Sequence, residues 1–267
     1  MVVAGIDIGS LSAEAVMLKD GELAAWSILP TGADSRRAAG QALVEALSRA
    51  GIAREQVAFV VATGYGRISV PFADRRVTEI TCHARGAVYL VPGTRTVIDI
   101  GGQDSKVIRV GPRGVVEDFA MNDKCAAGTG RFMEVMARAL ETDLEGFNRL
   151  AEKAAKPAAI SSVCTVFAES EVVSLIGQGT PREEIARGLC ETVADRVAAL
   201  AHRVGLVEEV VMTGGVAKSA SVVAAVSRKL GVDLVIPAEP QIVGALGAAL
   251  IAREFASQAK KPSGKTR

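Results

Sequence analysis

The chain has 267 residues, of which 49% are hydrophobic and 23% charged, as is usual for a soluble globular protein with one large domain or two smaller ones. Its formal net charge of +1 gives no sign of a nucleic-acid-binding surface. The sequence shows neither a signal-peptide pattern nor an apolar run long enough to span a bilayer. We therefore expect a cytoplasmic protein that binds neither nucleic acid nor membrane.

The four cysteines, without a signal peptide, argue against a disulfide framework. The sequence contains no Cys-x-x-Cys pair and only two histidines, His83 and His202, so a zinc site within one chain is not expected. The cysteines are therefore core thiols, reactive thiols or metal ligands.

The first third of the chain is predicted to alternate strands with helices. A Lys-Asp-Gly-Glu turn at 19–22 joins two apolar segments, as in a β-hairpin. Small apolar residues recur at helical spacing over 35–50, and Gly51 follows as a stop signal. The predicted elements are strands over 2–8, 13–18, 23–28 and 57–62 and helices over 35–50 and 81–91.

The opening pattern of the chain recurs 92 residues later. The string Ile-Asp-Ile-Gly occurs at 6–9 and again at 98–101, each time at the end of an apolar strand. A polar stretch, a second strand and a turn containing glycine follow each copy. A repeat of this length favours two domains of like topology over a solenoid, whose repeats are shorter.

The second half of the chain is predicted to be mainly helical. A β-branched run over 207–212 leads into the glycine-rich turn Thr-Gly-Gly-Val-Ala at 213–217. The small residues over 244–250 predict a helix that packs closely against another helix. The other predicted elements are helices over 130–140, 144–155, 181–204 and 220–230, a cysteine-led segment over 164–177 and a short strand over 232–237.

The two Asp-Ile-Gly turns have the composition of phosphate and Mg²⁺ sites. Glycine lets the backbone approach phosphate oxygens, and the carboxylates of Asp7 and Asp99 can hold the metal or its water shell. One such turn is weak support, because an ordinary Asp-Gly β-turn explains it equally well. Two copies and the third turn at 213–217 predict a nucleotide clamped between twin domains. The P-loop and dinucleotide-binding motifs are both absent from the sequence.

Two cysteines stand just before predicted helices. Cys125 lies in Met-Asn-Asp-Lys-Cys-Ala-Ala-Gly-Thr-Gly-Arg-Phe at 121–132, and Cys164 lies in Ser-Ser-Val-Cys-Thr-Val-Phe at 161–167. A thiolate at such a position is expected to face first-turn N–H groups and the positive end of a helix dipole. Two cysteines cannot complete the four-cysteine ligand set of a [4Fe–4S] cluster, but two from each of two identical chains can.

The triple turn pattern resembles the actin-like ATPase superfamily of sugar kinases, heat-shock chaperones and actin. The chain is similar, over 3–252, to the ATPase activators (archerases) of 2-hydroxyacyl-CoA dehydratases, of the BadF/BadG/BcrA/BcrD type. The resemblance implies an α/β, ribonuclease H-like fold of two domains of like topology with a nucleotide cleft between them. The strings that carry it lie at 62–67, 97–104, 121–132, 160–171 and 211–217. The expected domains are 1–94, to which a helix over 242–256 returns, and 95–241, with a flexible tail over 257–267.

The resemblance implies an ATP-hydrolysing enzyme that transfers a low-potential electron to a 2-hydroxyacyl-CoA dehydratase. In that family a homodimer holds one [4Fe–4S] cluster between its subunits, and each subunit binds ATP or ADP with Mg²⁺. The cluster ligands fall on Cys125 and Cys164, whereas Cys82 and Cys190 are expected to be core thiols. The implied electron donor is a ferredoxin or flavodoxin, and an oxygen-labile cluster implies an anaerobic host.

The resemblance also implies roles in the nucleotide site. Asp7 and Asp99 are expected to organise Mg²⁺, directly or through water, and Gln103 or Asp104 to orient the attacking water. The sequence does not separate the last two. Phosphate contacts are expected from Gly9, Ser10, Ser12, Gly101, Gly102, Gln103, Gly128 and Gly130, and packing under the adenosine from Thr213, Gly214, Gly215, Val216 and Ala217.

Three alternatives stay open from the sequence. One is the ATP-binding subunit of a benzoyl-CoA reductase-type enzyme. Another is a small actin-like kinase for an N-acetyl sugar or a pantothenate-type alcohol, which would need an aspartate base and would leave Cys125 and Cys164 unexplained. A filament-forming ATPase would need inserted subdomains, for which the chain has little room. Glu169, Glu171 and the acyl-CoA that the partner converts are left unassigned.

Overall fold

The structure is a computed structural model, and it describes residues 1–123, 125–161 and 164–259. The chain divides into two compact units, each with one five-stranded sheet and the helices packed on it. The first unit comprises Met1–Pro92, Pro112–Val115 and the chain from Gln241, and the second comprises Gly93–Gly111 and Val116–Pro240.

The described residues form ten β-strands and eight α-helices, numbered here in chain order. In this part of the chain no helix is long and apolar enough to cross a membrane. The strands are β1 Val2–Ile8, β2 Ser12–Lys19, β3 Glu22–Pro30, β4 Val57–Thr63, β5 Arg75–Arg76, β6 Thr96–Ile100, β7 Ser105–Val110, β8 Val116–Asn122, β9 Val210–Thr213 and β10 Leu234–Val235. The helices are α1 Ser35–Ala50, α2 Glu79–Leu90, α3 Gly130–Ala139, α4 Leu144–Lys153, α5 Thr165–Gly177, α6 Arg182–Val204, α7 Ala220–Leu230 and α8 Val243–Ala259.

The two sheets have the same strand order. In the first unit the order is β3-β2-β1-β4-β5, with β1 to β3 antiparallel and β4 and β5 added in parallel. In the second unit β8-β7-β6-β9-β10 repeats that order and those directions. The repeated strings at 6–9 and 98–101 lie at the carboxyl ends of β1 and β6. The predicted α/β fold with two similar topologies is confirmed.

Local signals set several boundaries where the sequence predicts them. Asp20 and Gly21 have φ of 54° and 95°, the left-handed backbone that a two-residue hairpin turn between β2 and β3 requires. The Asp34 side chain accepts a hydrogen bond from Arg37 N and caps the start of α1, and Gly51, with φ 63°, ends it. These capping residues explain why α1 spans 35–50 as predicted.

Helices cover both faces of the first sheet. α1 packs on one face, and α2 and α8 pack on the other. A Cβ at Gly5 would lie 2.0 Å from the Ala245 carbonyl oxygen, and one at Gly247 would lie 1.8 Å from the Cys82 carbonyl oxygen. Glycine therefore permits the close approach of α8 to β1 and α2. The close packing predicted for 244–250 is confirmed, although the helix is longer than predicted.

The second unit has its own core, which forms between its sheet and α3, α4, α6 and α7. Its largest buried side chains include Phe132 and Phe147, from α3 and α4. In contrast, the buried residues of α5 are Ala168 and Val172 alone. Most of the surface of α5 therefore lies outside this core.

Three predicted boundaries in the second unit are wrong. The strand predicted over 207–212 begins at Val210, because Val207 exchanges hydrogen bonds with Thr96 Oγ1, at 2.7 and 3.0 Å, instead of joining the ladder. The strand predicted over 232–237 is only Leu234–Val235, and the helix predicted over 144–155 ends at Lys153. β5 was not predicted, because its two exposed arginines show no apolar alternation.

Candidate nucleotide site and cysteine pair

Asp7 ends β1 and is 8% exposed. Two glycines enclose its carboxylate, because a Cβ at Gly64 would lie 2.2 Å from Oδ1 and one at Gly244 would lie 2.0 Å from Oδ2. Gly244 belongs to the first turn of α8, so the carboxylate lies at the positive end of a helix dipole. His83 Nε2 is 3.9 Å from Oδ2. These neighbours hold the carboxylate in one place.

A second buried carboxylate lies across the sheet from Asp7. Glu14 on β2 is the register partner of Asp7 and is 4% exposed. Opposite residues in an antiparallel pair project from the same face of the sheet. Gln241 Nε2 donates to Glu14 Oε1 at 3.0 Å and to Ser12 Oγ at 2.9 Å. The first unit therefore gathers two acidic side chains beside the predicted phosphate residue Ser12, which suits a hydrated divalent cation.

The first predicted phosphate turn is closed by its own backbone. Gly9 N donates to the Ser12 carbonyl oxygen at 2.9 Å, and Thr31 Oγ1 donates to the Gly9 carbonyl oxygen at 2.9 Å. A Cβ at Gly9 would lie 3.2 Å from the Ser12 carbonyl oxygen, so the turn favours glycine. Ser10 and Ser12 are half-buried, which leaves part of each residue at the surface.

Asp99 ends β6 at the equivalent place in the second unit and is 2% exposed. Lys106 Nζ donates to its Oδ2 at 2.9 Å, and Thr213 Oγ1 donates to its Oδ1 at 3.0 Å. Lys106, on β7, is the register partner of Asp99. Burial alone would lower the pKa of Lys106, but the carboxylates of Asp99 and Asp104 raise that pKa above the usual lysine value. Lys106 is therefore charged in this site.

Asp104 is held in the turn that follows Asp99. Its Oδ1 lies 2.9 Å from Lys106 Nζ, and its side chain is 26% exposed. Gly101 N donates to the Asp104 carbonyl oxygen at 3.0 Å, and a Cβ at Gly101 would lie 2.6 Å from Asp104 Oδ1. The neighbouring Gln103 is exposed. Both candidates for orienting a water therefore reach the surface at this turn.

The third predicted turn follows β9. Gly214 has φ 84°, and a Cβ there would lie 2.8 Å from Asp99 Oδ1, so this turn contacts the end of β6. Val216 and Ala217 are buried in the core of the second unit, whereas Gly215 is exposed. A nucleotide at this turn would contact its backbone rather than the side chains of Val216 and Ala217.

The first unit contains a counterpart of this turn that the sequence interpretation missed. Thr63 and Gly64 follow β4 as Thr213 and Gly214 follow β9, and the two glycines have φ of 83° and 84°. Each threonine is the register partner of the aspartate that ends the neighbouring strand. The Thr213 hydroxyl donates to its aspartate. In the described part of the chain, the buried Thr63 hydroxyl makes no hydrogen bond of standard geometry and lies beside the Cys82 thiol.

The second predicted phosphate turn, at 101–104 and called the second turn below, is hydrogen-bonded to the start of α3. Gly130 N donates to the Gly101 carbonyl oxygen at 2.9 Å, and Arg131 N donates to the Gly102 carbonyl oxygen at 2.8 Å. Thr129 Oγ1 donates to the same Gly102 oxygen at 3.1 Å. These three hydrogen bonds join the predicted phosphate turn to the cysteine-bearing segment within one unit.

Cys125 lies in the loop between β8 and α3 and is half-buried against the core of the second unit. Asn122 Nδ2 donates to the Cys125 carbonyl oxygen at 3.0 Å, and Gly128, with φ 81°, turns the chain toward α3. The expectation that first-turn N–H groups face this thiol is wrong. α3 begins only at Gly130, and its first two N–H groups donate to carbonyl oxygens of the second turn.

Cys164 is half-buried and immediately precedes α5, as predicted. Ser161 N and Ser161 Oγ both donate to Glu171 Oε1 at 2.8 Å, which ties the chain before the cysteine to the second turn of α5. Glu171 therefore has a structural partner, whereas Glu169 is exposed. Three residues of the predicted strings lie outside the described residues: Lys124, Ser162 and Val163.

The other two cysteines are core thiols, as expected. Cys82 is 0% and Cys190 1% exposed. Burial raises the pKa of each thiol to about 12, so neither thiolate forms near neutral pH.

α5 exposes apolar side chains to solvent. Val166 and Phe167 are each 68% exposed, and Val173 is 59% exposed. Apolar side chains grouped on a helix that contributes little to its own core are typical of a surface that contacts another protein.

Besides the turn at Thr63 and Gly64, four residues of the site were missed from the sequence: Glu14, Lys106, His83 and Gln241. Lys106 lies 92 residues after Glu14, the same offset as the internal repeat, so aligning the two copies would have shown that these two residues occupy equivalent positions. No comparable signal exists for His83 and Gln241. Their positions beside the first turn depend on contacts between segments far apart in sequence.

The doubled sheet, with glycine-rich turns at equivalent strand ends, is the fold of the actin-like ATPases. Within this class the chain belongs to the BadF/BadG/BcrA/BcrD ATPase family, whose model matches residues 4–252. The resemblance inferred from the motif strings is confirmed.

Three proteins of high similarity are named as activators or components of hydroxyacyl-CoA dehydratases. The activator of lactoyl-CoA dehydratase from Anaerotignum propionicum is 51% identical over 259 residues, which are 97% of this chain and 100% of that protein. The crystal structure of (R)-2-hydroxyglutaryl-CoA dehydratase component A from Acidaminococcus fermentans has a TM-score of 0.92 at 47% identity and covers 96% of this chain and 99% of its own. The activator of the 2-hydroxyisocaproyl-CoA dehydratase from Clostridium difficile, with bound ADPNP, has a TM-score of 0.93 at 41% identity and covers 100% of both chains.

Proposed function

We propose that this chain is an ATP-hydrolysing reductive activator that passes a low-potential electron to a 2-hydroxyacyl-CoA dehydratase in the cytoplasm. Similarity to named activators over nearly the full length of both chains supports this function. The main structural support for this function is that hydrogen bonds join the second turn to the start of α3, which follows the loop of Cys125. A sugar or alcohol kinase needs no cysteine-bearing segment at its phosphate turn.

ATP and ADP would be held mainly by backbone groups of the three turns. A Cβ at Gly9, Gly101 or Gly214 would lie 3.2, 2.6 or 2.3 Å from the nearest protein atom, so these tight turns have little room for a side chain at those positions. Turns without side chains at such positions let phosphate oxygens approach the backbone. The proposed phosphate contacts are Gly9, Ser10, Ser12, Gly101, Gly102, Gln103, Gly128 and Gly130, and the proposed adenosine contacts are Thr213, Gly214, Gly215, Val216 and Ala217.

Mg²⁺ bound with the nucleotide would neutralise phosphate charge. Asp7 and Glu14 fit this ion, because Mg²⁺ keeps several waters and takes only one or two protein carboxylates. Asp99 would act through a metal-bound water, since Lys106 and Thr213 already donate to its two oxygens.

The attacking water would be oriented by Asp104 or by Gln103. Asp104 is held by Lys106 at one oxygen and reaches the surface at the phosphate turn, whereas Gln103 is exposed. A residue that orients a water must itself be held in place. We therefore favour Asp104.

The donor set of one chain fits half of a [4Fe–4S] cluster. Cys125 and Cys164 are half-buried thiols of the same unit, and the other two thiols are enclosed in cores. No three His, Cys, Asp or Glu side chains among the described residues are grouped so as to hold a metal ion. Because four thiolates complete such a cluster, two copies of the chain are required, and we propose a homodimer.

When bound, the cluster supplies a one-electron carrier of low potential. Cys125 and Cys164 would hold it, and the bonds from Ser161 to Glu171 would fix the loop of Cys164. The bonds between the second turn and α3 would transmit a change at the phosphates to the loop of Cys125. A nucleotide can act in this way only by binding two arrangements of that segment with different affinity.

The segment around Cys164 and α5 also suggests which proteins bind this chain. The exposed apolar side chains of α5 begin at Val166, two residues after Cys164, so we assign their cover to the second subunit. A ferredoxin or flavodoxin would deliver the electron, and the dehydratase would accept it.

Anaerobic purification with iron and sulfide analysis tests this function. We expect a brown dimer with about four irons per two chains. Cys125→Ala and Cys164→Ala should each lose the iron, because each removes two of the four ligands of the dimer. Cys190→Ala is the matched control, since this thiol is buried in the core and should leave the iron content unchanged.

A colourless protein that cannot be reconstituted with iron and sulfide would contradict the proposal. ATP hydrolysis that occurs only with a small alcohol present would then favour the kinase. An iron content that Cys190→Ala lowers as much as Cys125→Ala does would contradict the ligand assignment.

A further inference from the structure

Lys106 carries a buried charge that bridges two carboxylates. Its side chain is 4% exposed, and Nζ lies 2.9 Å from Asp99 Oδ2 and 2.9 Å from Asp104 Oδ1. Burying an ammonium group is unfavourable unless carboxylates or other acceptors surround it. One cation therefore fixes an aspartate at the end of β6 and an aspartate in the turn that follows.

The two carboxylates differ in what else surrounds them. Asp99 is 2% exposed, and its other oxygen accepts a hydrogen bond from Thr213 Oγ1 at 3.0 Å. The Asp104 side chain is 26% exposed and lies over Gly101, whose N–H donates to the Asp104 carbonyl oxygen. Asp99 is thus enclosed by protein donors, while Asp104 reaches the surface at the second turn.

The equivalent place in the first unit shows that the sheet does not require a lysine there. Glu14 occupies the position of Lys106 in the repeated strand pair, opposite Asp7, and is also buried. The cation at 106 therefore serves something particular to the second turn.

We propose that Lys106 is a positioning residue for ATP hydrolysis: anchored by Asp99, it holds the Asp104 carboxylate over the second turn, where Asp104 orients the attacking water. In that reaction the water oxygen bonds to the γ-phosphorus, the bond to the β–γ bridging oxygen breaks, and ATP and water give ADP, phosphate and a proton. This inference rests on the proposed function, because it requires ATP phosphates at the second turn. It gives two neighbouring acidic residues different roles, since Asp99 would anchor Lys106 and Asp104 would orient the water.

The test is a double-mutant cycle in protein that carries Asp99→Asn, because the asparagine keeps an acceptor oxygen that can anchor the Lys106 ammonium, while removing Lys106 then leaves no buried carboxylate at position 99. We expect Lys106→Met to lower kcat for MgATP by about 10²-fold in this background, with KM within about threefold. When Asp104→Asn is also present, Lys106→Met should change kcat by less than about threefold, because its effect passes through Asp104. The four proteins are D99N, D99N/K106M, D99N/D104N and D99N/K106M/D104N.

A merely structural role for Lys106 would give a different pattern. It would change KM, the MgADP affinity measured by calorimetry, and the melting temperature together. Equal loss of kcat with and without Asp104 would overturn the proposal, and so would an unchanged kcat. If D99N/K106M does not fold, Lys106→Arg replaces it, because the longer side chain and the fixed planar fork of the guanidinium would hold Asp104 in a different position from the one that the ammonium gives it. Lys106→Arg should then lower kcat only when Asp104 is present, and an equal loss in D104N protein would overturn the proposal.

The two proposals fail in distinguishable ways. An unsubstituted protein that hydrolyses no ATP would overturn the proposed function together with the role of Lys106. ATP hydrolysis by the unsubstituted protein, with losses from Lys106→Met and Asp104→Asn that multiply independently, would overturn the role of Lys106 alone.

Discussion

The two acidic turns, one in each unit, have the same backbone frame and opposite charge patterns. Asp7 and Asp99 end equivalent strands, and a glycine with φ of 83° or 84° approaches each of them. The residue directly across the sheet is Glu14 in the first unit and Lys106 in the second. A carboxylate therefore faces the aspartate in the first unit, whereas an ammonium group faces it in the second.

This difference shows how one repeated frame provides two chemical environments. Opposite residues in an antiparallel pair have Cβ atoms about 4.5–5.5 Å apart, so the charge at one position strongly affects the other. A pair of facing carboxylates suits a hydrated cation, whereas a carboxylate paired with an ammonium group presents less negative charge to phosphate oxygens. The identity of a single residue, 14 or 106, decides between the two.

The largest predicted effect comes from removing the ammonium group that pairs with Asp99. Lys106→Met should lower the free energy of unfolding by about 3–5 kcal/mol, because it leaves Asp99 buried without its cation. Glu14→Gln is the matched change in the first unit, and it should cost less than about 1 kcal/mol, because Gln241 keeps an acceptor and one of two neighbouring carboxylates is removed. Urea denaturation without nucleotide measures both. Equal losses would show that the two turns do not differ in electrostatics.

The next effect tests whether the glycine turns of the two units have the same backbone geometry. Gly64→Ala and Gly214→Ala should each destabilise the protein by about 2–5 kcal/mol, because a Cβ would lie 2.2 and 2.3 Å from its nearest atom and both glycines have positive φ. Gly231→Ala is the control, since Gly231 has φ 69° but open space around it. The control should cost about 1–2 kcal/mol, from the backbone alone. Thermal melting compares the three variants, and similar costs would contradict the close approach of both turns to their aspartates.

The smallest effect distinguishes the two threonines. Thr213→Val should cost about 1.5–3 kcal/mol, because it removes a hydrogen bond to the Asp99 carboxylate. Thr63→Val should change stability by less than about 0.5 kcal/mol, because within the described ranges the Thr63 hydroxyl makes no hydrogen bond of standard geometry and lies beside the weakly accepting Cys82 thiol. Chemical denaturation of both variants provides the comparison. A Thr63→Val loss as large as that of Thr213→Val would show that the two turns hold their aspartates alike.

Much of the fold was predictable because its signals are local. Asp34 and Gly51 cap α1, and Ser219 and Gly231 cap α7, so both helices have the predicted bounds. The 92-residue repeat predicted two sheets of like topology, and a cysteine was predicted immediately before α5. Each of these features depends on residues close together in sequence or on a direct comparison of two strings.

The sequence by itself therefore determined the two topologically similar units, most of the helices and which two of the four cysteines are core thiols. The tertiary structure alone decided which residues face Asp7 and Asp99, and that the first N–H groups of α3 bond to the second turn instead of facing Cys125. The physical reason is that strand register and close packing join residues remote in the chain. Whether a carboxylate meets an acid, an ammonium group or a hydroxyl depends on those contacts and not on its neighbours in sequence.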